Sequence, residues 1–158
     1  MNRKTVLGIT FLVMVMVLSC NAQKANSAND FEAKNIDGDK AIEISGYVGV
    51  LQNVNIPSKI RGLPVTSIGK NAFYRKNLTS VIIPNSVTKI GEGVFCNDQR
   101  ENTNITSITI GSNVSLIEPT MYKDGSFGAR FEQAYNEGGK QAGTYTRPDT
   151  DSRTWTKQ

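Results

Sequence analysis

The chain has 158 residues, enough for one domain of ordinary size, and a formal net charge of +4 from 18 basic and 14 acidic residues. It contains no histidine, so the side chain that most often serves as a general base and as a metal ligand is absent. No cluster of five or more Lys and Arg residues occurs, and a nucleic-acid partner is therefore not predicted.

Motifs of the common enzyme classes are also missing from the sequence. There is no GxSxG elbow, P-loop or CxxC pair, and Cys96 has no imidazole to activate it. Two acidic groups, one of Asp37, Asp39 and Glu43 and one in "DTD" at 149–151, lack the loop ligands and terminal glutamate of an EF-hand. The sequence therefore predicts no catalytic residue, no metal site and no cofactor, and Cys96 is expected to be a small packed residue.

Residues 1–20, "MNRKTVLGITFLVMVMVLSC", have the features of a secretory signal. A basic start precedes an apolar run over residues 6–18, and at 13 residues this run is shorter than the roughly 20 that span a bilayer. The ending "VLSC" resembles a bacterial lipobox, which implies cleavage after Ser19 and a diacylglycerol group on the Cys20 sulfur. Such chains hold a protein on a membrane, since each buried methylene contributes about 0.8 kcal/mol. Two alternatives are an ordinary signal with an incidental cysteine and an uncleaved anchor helix.

Cleavage of residues 1–19 would change the charge and leave a tether. It removes two basic residues and no acids, so the mature chain would carry 16 basic and 14 acidic residues. After Cys20, "NAQKANSAND" has no apolar residue larger than alanine. Residues 20–30 are therefore predicted to form a flexible tether.

A repeat of 27 residues occupies the middle of the chain, residues 51–127. Three units carry apolar residues at matching positions. The matches are Leu51, Leu78 and Ile105; Val54, Val81 and Ile108; Ile56, Ile83 and Ile110; and Phe73, Phe95 and Tyr122. The first unit has an extra loop around "RGLP", and the second has the polar stretch "NDQRENT". Such a period predicts stacked units that together bury one continuous column.

The uneven spacing in "LTSVIIPNSVTKIGEGVF" has a physical explanation. Val81 and Ile83 are two positions apart, so they face the same side of a short strand, while Ile82 faces the other side. Pro84 ends the strand because it lacks a ladder donor, and Gly91 permits a tight bend. The strands of successive units are predicted to pair into a parallel sheet.

These residues resemble the Treponema-type, or BspA-like, leucine-rich repeat, whose units run L-x-x-I-x-I-P-x-x-V-x-x-I-G-x-x-A-F. "PVTSIGKNAF" matches that pattern almost letter for letter, and the resemblance covers about residues 46–127. In the third unit Gly111 replaces the proline and Glu118-Pro119 replaces the bend. The resemblance implies a β-rich leucine-rich-repeat solenoid of about three repeats that stack short parallel strands.

Both ends of such a column must be covered. Residues 31–50 contain Asp37-Gly38 between apolar residues, a two-residue hairpin signal suited to an N-terminal cap. Residues 128–158 are predicted to form a C-terminal cap, in which a helix ends at Gly138-Gly139 and "GTYTRPDTDSRTWT" forms a hairpin. The helical spacing is that of Phe127, Phe131, Ala134 and Tyr135. An alternative for the hairpin is a small carbohydrate-binding site that uses Tyr145 and Trp155.

The resemblance implies a binding module rather than an enzyme, since members of the family are associated with adhesion to matrix proteins, other bacteria and epithelial cells. We predict a monomeric, lipid-anchored protein of the bacterial envelope, at the outer membrane or cell surface, that binds an extracellular or envelope protein. An alternative is a structural periplasmic or envelope lipoprotein with no host ligand. The binding surface would be the strand face that the core does not use. Its residues are Asn53, Asn55, Ser80, Ile82, Ser107 and Thr109.

Overall fold

Short strands are expected in this chain because Pro, Gly and Asn residues interrupt its apolar runs every few positions. The computed structural model describes residues 24–97, 104–117, 125–128 and 130–158. Over these residues it contains ten strands and one α-helix. The predicted signal peptide, residues 1–19, lies outside the described residues, as do Cys20 and Tyr122.

The strands form two sheets. They are β1 (Phe31–Ile36), β2 (Ala41–Tyr47), β3 (Asn53–Asn55), β4 (Lys59–Ile60), β5 (Leu63–Ile68), β6 (Ser80–Ile82), β7 (Lys89–Ile90), β8 (Ser107–Ile110), β9 (Gly143–Thr146) and β10 (Thr156–Lys157). A short 3-10 helix, Ala28–Asp30, precedes β1, and helix α1 spans Phe131–Glu137. One sheet has the order β1-β2-β5-β4, with β7 also paired to β5, and the other has the order β10-β9-β8-β6-β3.

In the second sheet, residues that lie 27 positions apart in the sequence pair with one another. Strands β3, β6 and β8 pair in parallel, and Val54 lies beside Val81, which lies beside Ile108. All three side chains are buried, because alternate residues of a strand point to the same side. The predicted parallel pairing of these strands is confirmed.

A second set of parallel strands, β2, β5 and β7, borders the core on another side. The repeat pattern did not predict this set. Ile44 of β2 pairs with Ile68 of β5, which pairs with Ile90 of β7, and all three are fully buried. The residues around "RGLP", predicted as an extra loop, form the hairpin of β4 and β5. It turns at Arg61 and Gly62, which both have positive φ, as a two-residue hairpin turn requires.

A row of aromatic rings runs through the core between the units. The ring of Tyr47 stacks on Phe73 with centroids 5.2 Å apart, Phe73 stacks on Phe95 at 5.1 Å, and Phe95 stacks on Phe127 at 4.5 Å. In the repeat, Phe73 and Phe95 are equivalent to Tyr122, which lies outside the described residues. The ring that packs against Phe95 belongs to Phe127, a residue that had been assigned to the helix.

The predicted hairpin of β1 and β2 is present, but its turn is longer than expected. Ile36 pairs with Ala41, so residues 37–40 connect the strands instead of Asp37-Gly38 alone. Asp37, Gly38 and Asp39 have φ values of 54°, 62° and 63°, and Asp and Gly tolerate this left-handed conformation. The two-residue prediction was therefore wrong in length, because Asp39 also adopts a turn conformation.

The residues before β1 are held against the edge of β3. The Asn26 amide donates to the Asn55 carbonyl at 2.8 Å, and the Asn55 amide donates to Asn26 Oδ1 at 2.8 Å. Asn26 Nδ2 also donates to Asp30 Oδ2 at 3.3 Å. Residues 26–30 of the predicted tether 20–30 are therefore in contact with the domain, and they cover part of the exposed strand edge.

Leu51 departs from the repeat pattern. Its counterparts Leu78 and Ile105 are buried, with 4% and 1% of their surface exposed, whereas Leu51 is 56% exposed. Leu51 begins the first unit, so no earlier unit of the repeat lies over it. Leu51 is therefore apolar although no core surrounds it.

The C-terminal segment extends the second sheet. Helix α1 ends at Glu137 with Gly138 as its C-cap, as the spacing predicted, although Phe127 precedes the helix and is not part of it. Strand β9 pairs antiparallel with β8, and β10 pairs antiparallel with β9.

Glu132 is a fully buried acidic residue that fixes the segment before α1. Its Oε1 accepts hydrogen bonds from the amides of Phe127 and Gly128, the latter at 3.2 Å. Its Oε2 has no hydrogen-bond partner in the described part of the chain. Burial raises the pKa of this carboxyl, while the hydrogen bonds from the Phe127 and Gly128 amides act in the opposite direction.

Arg147 is the buried basic residue that holds the loop between β9 and β10. Its Nε donates to the Ile105 carbonyl at 2.8 Å, and its Nη1 donates to the carbonyls of Thr150 and Ser152, each at 2.9 Å. The guanidinium also lies 5.3 Å from the centre of the Trp155 ring. These contacts attach the loop to the start of β8, because the fork of an arginine can donate to several carbonyls at once.

Candidate binding face

The six residues predicted as a binding surface lie together on the outer side of the second sheet. The register places Asn53, Ser80 and Ser107 in one row across β3, β6 and β8. The same register places Asn55, Ile82 and Thr109 in a second row. The residue between the two rows on each strand is buried in the core, so these side chains point to solvent. We call the two rows the outer face.

Strand β9 adds residues to the outer face that the sequence analysis missed. Thr146 pairs with Ser107, and Thr144 pairs with Thr109, so each row continues onto β9. Between them Tyr145 pairs with Ile108 and is buried. The alternation in "TYT" signals a half-buried strand, but its pairing with β8 depends on the path of the chain after the repeats, which no local pattern specifies.

The side chains of the outer face form hydrogen bonds among themselves. Asn53 Oδ1 accepts from Thr79 Oγ1 at 2.6 Å and from Ser80 Oγ at 2.9 Å. Thr109 Oγ1 and Thr144 Oγ1 lie 2.9 Å apart. Neither row contains a charged residue, so the outer face offers hydrogen bonds and van der Waals contact rather than ion pairing.

The outer face is narrow. Neighbouring strands lie about 4.8 Å apart, and alternate residues of a strand about 6.7 Å apart, so four strands give a platform of roughly 14 Å by 7 Å. The two rows contain eight residues, far fewer than the roughly 20–30 that each partner contributes to a stable protein interface. Contact through the outer face alone is therefore expected to be weak.

The outer side of the other sheet differs in its charge. There Glu43 pairs with Ser67, which pairs with Lys89, and Lys89 forms a bridge to Ser115. Glu43 Oε1 accepts from Lys34 Nζ at 2.7 Å. The two sheets thus present one neutral and one charged surface to solvent.

The other candidate site residues are used in packing or in turns. Cys96 is buried, and its Sγ lies 3.4 Å from the Gly125 carbonyl oxygen. Asp149 Oδ1 accepts from the amides of Asp151 and Ser152 at 3.0 Å and 2.7 Å, as in an ordinary turn. Glu43 of the other acidic group is paired with Lys34.

The two aromatic residues of the carbohydrate-binding alternative belong to the core. Tyr145 is 3% exposed and Trp155 is 8% exposed. The ring of Phe131 packs edge-on against both, with centroids 5.5 Å and 5.2 Å apart. Arg147 covers the Trp155 ring as well. Both rings are more than nine-tenths buried, which leaves little ring surface for a sugar to stack on, so the geometry gives this alternative no support.

None of the helices in the described ranges has the length and apolar character needed to cross a bilayer. The geometry instead defines a repeat protein, whose parallel strands bury one side and carry a row of small neutral residues on the other.

The chain belongs to the BspA-type leucine-rich repeat family. The sequence model described as "BspA type Leucine rich repeat region (6 copies)" matches residues 40–128, more than half of the chain. The family predicted from the repeat motif is therefore confirmed. The match counts six copies, where the sequence analysis set out three longer units.

Two solved structures are similar to this chain. One is the leucine-rich repeat protein of T. pallidum, at 28% identity and a TM-score of 0.45, with 56% of this chain and 44% of that chain covered. The other is a leucine-rich cell surface protein from Faecalibacterium prausnitzii A2-165, at 29% identity and a TM-score of 0.45, with 59% of this chain and 25% of that chain covered. The matched region thus spans less than half of either protein. Among curated proteins, none matches this sequence.

Proposed function

We propose that the protein is a lipid-anchored repeat protein of the bacterial cell surface or envelope, and that it binds another protein through the outer face. One observation carries this proposal. Small neutral side chains lie in register across β3, β6, β8 and β9, where the core has no need of them. The hydroxyls of the outer face have no general base among its residues to activate them, so we propose binding rather than catalysis.

The chemistry of the outer face favours a protein ligand over a charged polymer. Amide and hydroxyl groups such as those of Asn53, Ser80 and Ser107 form hydrogen bonds without requiring a charged partner, and Ile82 adds an apolar contact. Since one such platform is small, several anchored copies acting together would supply the avidity that adhesion to a cell or matrix needs.

A matched pair of serine substitutions tests the outer face. Ser107→Arg places a long cation in the middle of the neutral row, whereas Ser115→Arg makes the same change on the charged side of the molecule. We expect Ser107→Arg to weaken binding of the mature chain to surfaces coated with matrix proteins, or to intact bacteria, at least tenfold. Ser115→Arg should leave binding unchanged, and both should unfold within about 0.5 kcal/mol of the unmodified chain, as surface substitutions usually do.

The outcome is read by surface plasmon resonance on coated chips and by counting bound cells. Equal binding of the two variants would contradict the assignment of the outer face. Absence of saturable binding by the unmodified chain to every coated surface and cell type would remove the support for adhesion.

The proposed anchor is tested at Cys20. We expect the full chain expressed in bacteria to enter the detergent phase when Triton X-114 separates, because acyl chains transfer with about 0.8 kcal/mol per methylene. Cys20→Ala, which has no acceptor sulfur, should remain in the aqueous phase or stay uncleaved. Cys96→Ala is the control, since that thiol is buried, and it should still enter the detergent phase. A cleaved Cys20→Ala protein in the detergent phase would contradict the anchor.

A second candidate function is a structural lipoprotein of the periplasm or envelope with no host ligand. The hydrogen bonds of Asn53 with Thr79 and Ser80, and the contact of Thr109 with Thr144, favour it because they occupy groups that a ligand would need. Protease treatment of intact cells separates the two candidates. Release of the domain supports the surface role, and a domain that is released only after the envelope is broken supports the structural one.

A further inference from the structure

We infer that the loop between β2 and β3 rests on the lipid surface to which Cys20 is anchored. Its exposed apolar residues are Val48, Val50 and Leu51, which we call the apolar tip. The inference goes beyond the outer face and relies on the lipid anchor of the proposed function. The partner is the bilayer itself.

The apolar tip is unusually exposed for its composition. Val48 is 56% exposed, Val50 is 93% exposed and Leu51 is 56% exposed, and they are the large apolar residues that the described part of the chain leaves open to solvent. Single exposed apolar residues are common on proteins, but here three within four positions are concentrated in one loop. An amphipathic surface of this kind is suited to the boundary between water and acyl chains.

The conformation of the apolar tip is fixed in advance. The amides of Val48 and Gly49 donate to the Asp30 carbonyl at 2.8 Å and 3.3 Å. The Tyr47 hydroxyl donates to the Leu51 carbonyl at 3.1 Å. The loop therefore loses less conformational entropy when Val50 contacts a partner than a free loop would lose.

The path of the chain places the apolar tip near the anchor. Asn26 is bonded to Asn55 at the edge of β3, and Asp30 is bonded to the tip itself. Only six residue steps separate Cys20 from Asn26, and at no more than about 3.5 Å per residue they reach about 21 Å. A lipid on Cys20 therefore holds the β3 end of the domain close to the bilayer.

The hydrogen bonds at the edge of β3 disfavour a second copy of the chain as the partner. A dimer formed by strand addition would need the outward amide and carbonyl of Asn55, and both are already bonded to Asn26. The apolar side chains remain open beside this partly covered edge. A bilayer needs no backbone hydrogen bonds from its partner, so it fits this combination where a strand does not.

Contact at the apolar tip also sets the orientation of the outer face. The sheet order β3-β6-β8-β9-β10 places β3 at the membrane end and β10 at the other end. With strands about 4.8 Å apart, β10 lies about 19 Å further from the tip. The β9 part of the outer face, with Thr144 and Thr146, would then lie about 14 Å further from the bilayer than β3, where an approaching partner can reach it.

The test uses the full mature chain, lipidated on Cys20 and reconstituted in phosphatidylcholine–phosphatidylglycerol vesicles with brominated acyl chains. Bromine quenches tryptophan only at short range. Val50→Trp should gain a blue-shifted emission component that loses at least half of its intensity in brominated vesicles. Ser115→Trp is the matched control on an exposed residue away from the tip, and it should show neither change. The native Trp155, which is buried, should be unaffected in both.

Three results would overturn the inference. Val50→Trp could behave like Ser115→Trp, which leaves the tip in water. It could shift to the blue without quenching, which assigns the tip to a contact between copies. The unmodified chain could fail to float with the vesicles, which refutes the proposed anchor and the inference together. Leu51→Trp repeats the measurement at a second site, and circular dichroism confirms that each variant is folded.

Discussion

Replacing Phe95 with alanine is expected to lower the free energy of unfolding by about 3–5 kcal/mol. The ring is 4% exposed and is stacked on both faces, by Phe73 at 5.1 Å and by Phe127 at 4.5 Å. Its removal therefore leaves a cavity between two units that rigid strands on either side cannot close. Urea denaturation followed by the fluorescence of Trp155 measures the loss.

Two variants show whether stacking between units is responsible. Phe95→Leu keeps most of the apolar volume and should lose clearly less than the alanine variant. Phe31→Ala removes a ring that packs beside the Tyr47 end of the aromatic row, tilted at 46° against Tyr47 and edge-on to Phe73 at 6.2 Å, and stacked on neither. It should also lose less stability than Phe95→Ala. If Phe31→Ala and Phe95→Ala lower the free energy of unfolding equally, stacking on both faces of the Phe95 ring adds no extra stability.

Replacing Glu132 with alanine is expected to lower the free energy of unfolding by about 2–3 kcal/mol, because the amides of Phe127 and Gly128 would lose their acceptor in a buried site. The segment that carries Phe127 into the core would then lose its attachment to α1. Glu132→Gln is the matched control. It keeps an acceptor oxygen of the same shape and, at pH 4, should unfold within about 1 kcal/mol of the unmodified chain. Similar losses for the two variants would contradict this account.

The same residue gives a pH dependence with a definite sign. Burial raises the pKa of the Glu132 carboxyl in the folded state, so the folded chain keeps a proton that the unfolded chain has released. Its contribution to stability is full below the unfolded pKa, about 4.3, and is lost as the pH rises through the folded pKa. Glu132→Gln cannot titrate there, so its stability relative to the unmodified chain should increase from pH 4 upward. Urea titrations across pH 4 to 8 measure this difference, and a constant value would contradict it.

The repeat made one part of the fold predictable from the sequence. Because Val54, Val81 and Ile108 recur at one interval and the strand alternates in and out, the interval gave the register of the second sheet. That register also gave the six residues of the outer face, which the structure places in two rows. The reason is physical: units that are alike can share a core only when equivalent residues lie side by side.

Other parts depend on contacts that no local pattern contains. The motif V-x-x-I-G makes Ile68 equivalent to Ile90. Ile44 lies before the repeat units, and the row joins residues at unequal intervals, so the 27-residue period did not predict these paired strands. Phe127 looked helical because it lies four residues before Phe131, yet its ring packs against Phe95. The exposure of Leu51 follows from its place at the start of the repeat and not from its residue type. The extension of the outer face by Thr144 and Thr146 required the path of the chain after β8.

The parallel register of β3, β6 and β8 has a consequence for how such a protein changes in evolution. Each strand bonds only to its immediate neighbours, so a duplicated unit could be inserted between two existing ones without disturbing the segments at either end. Each insertion would lengthen the outer face by about one strand spacing, 4.8 Å, and would add one ring to the aromatic row. Gene duplication could therefore lengthen the second sheet in equal steps, while the segments at its two ends stay the same.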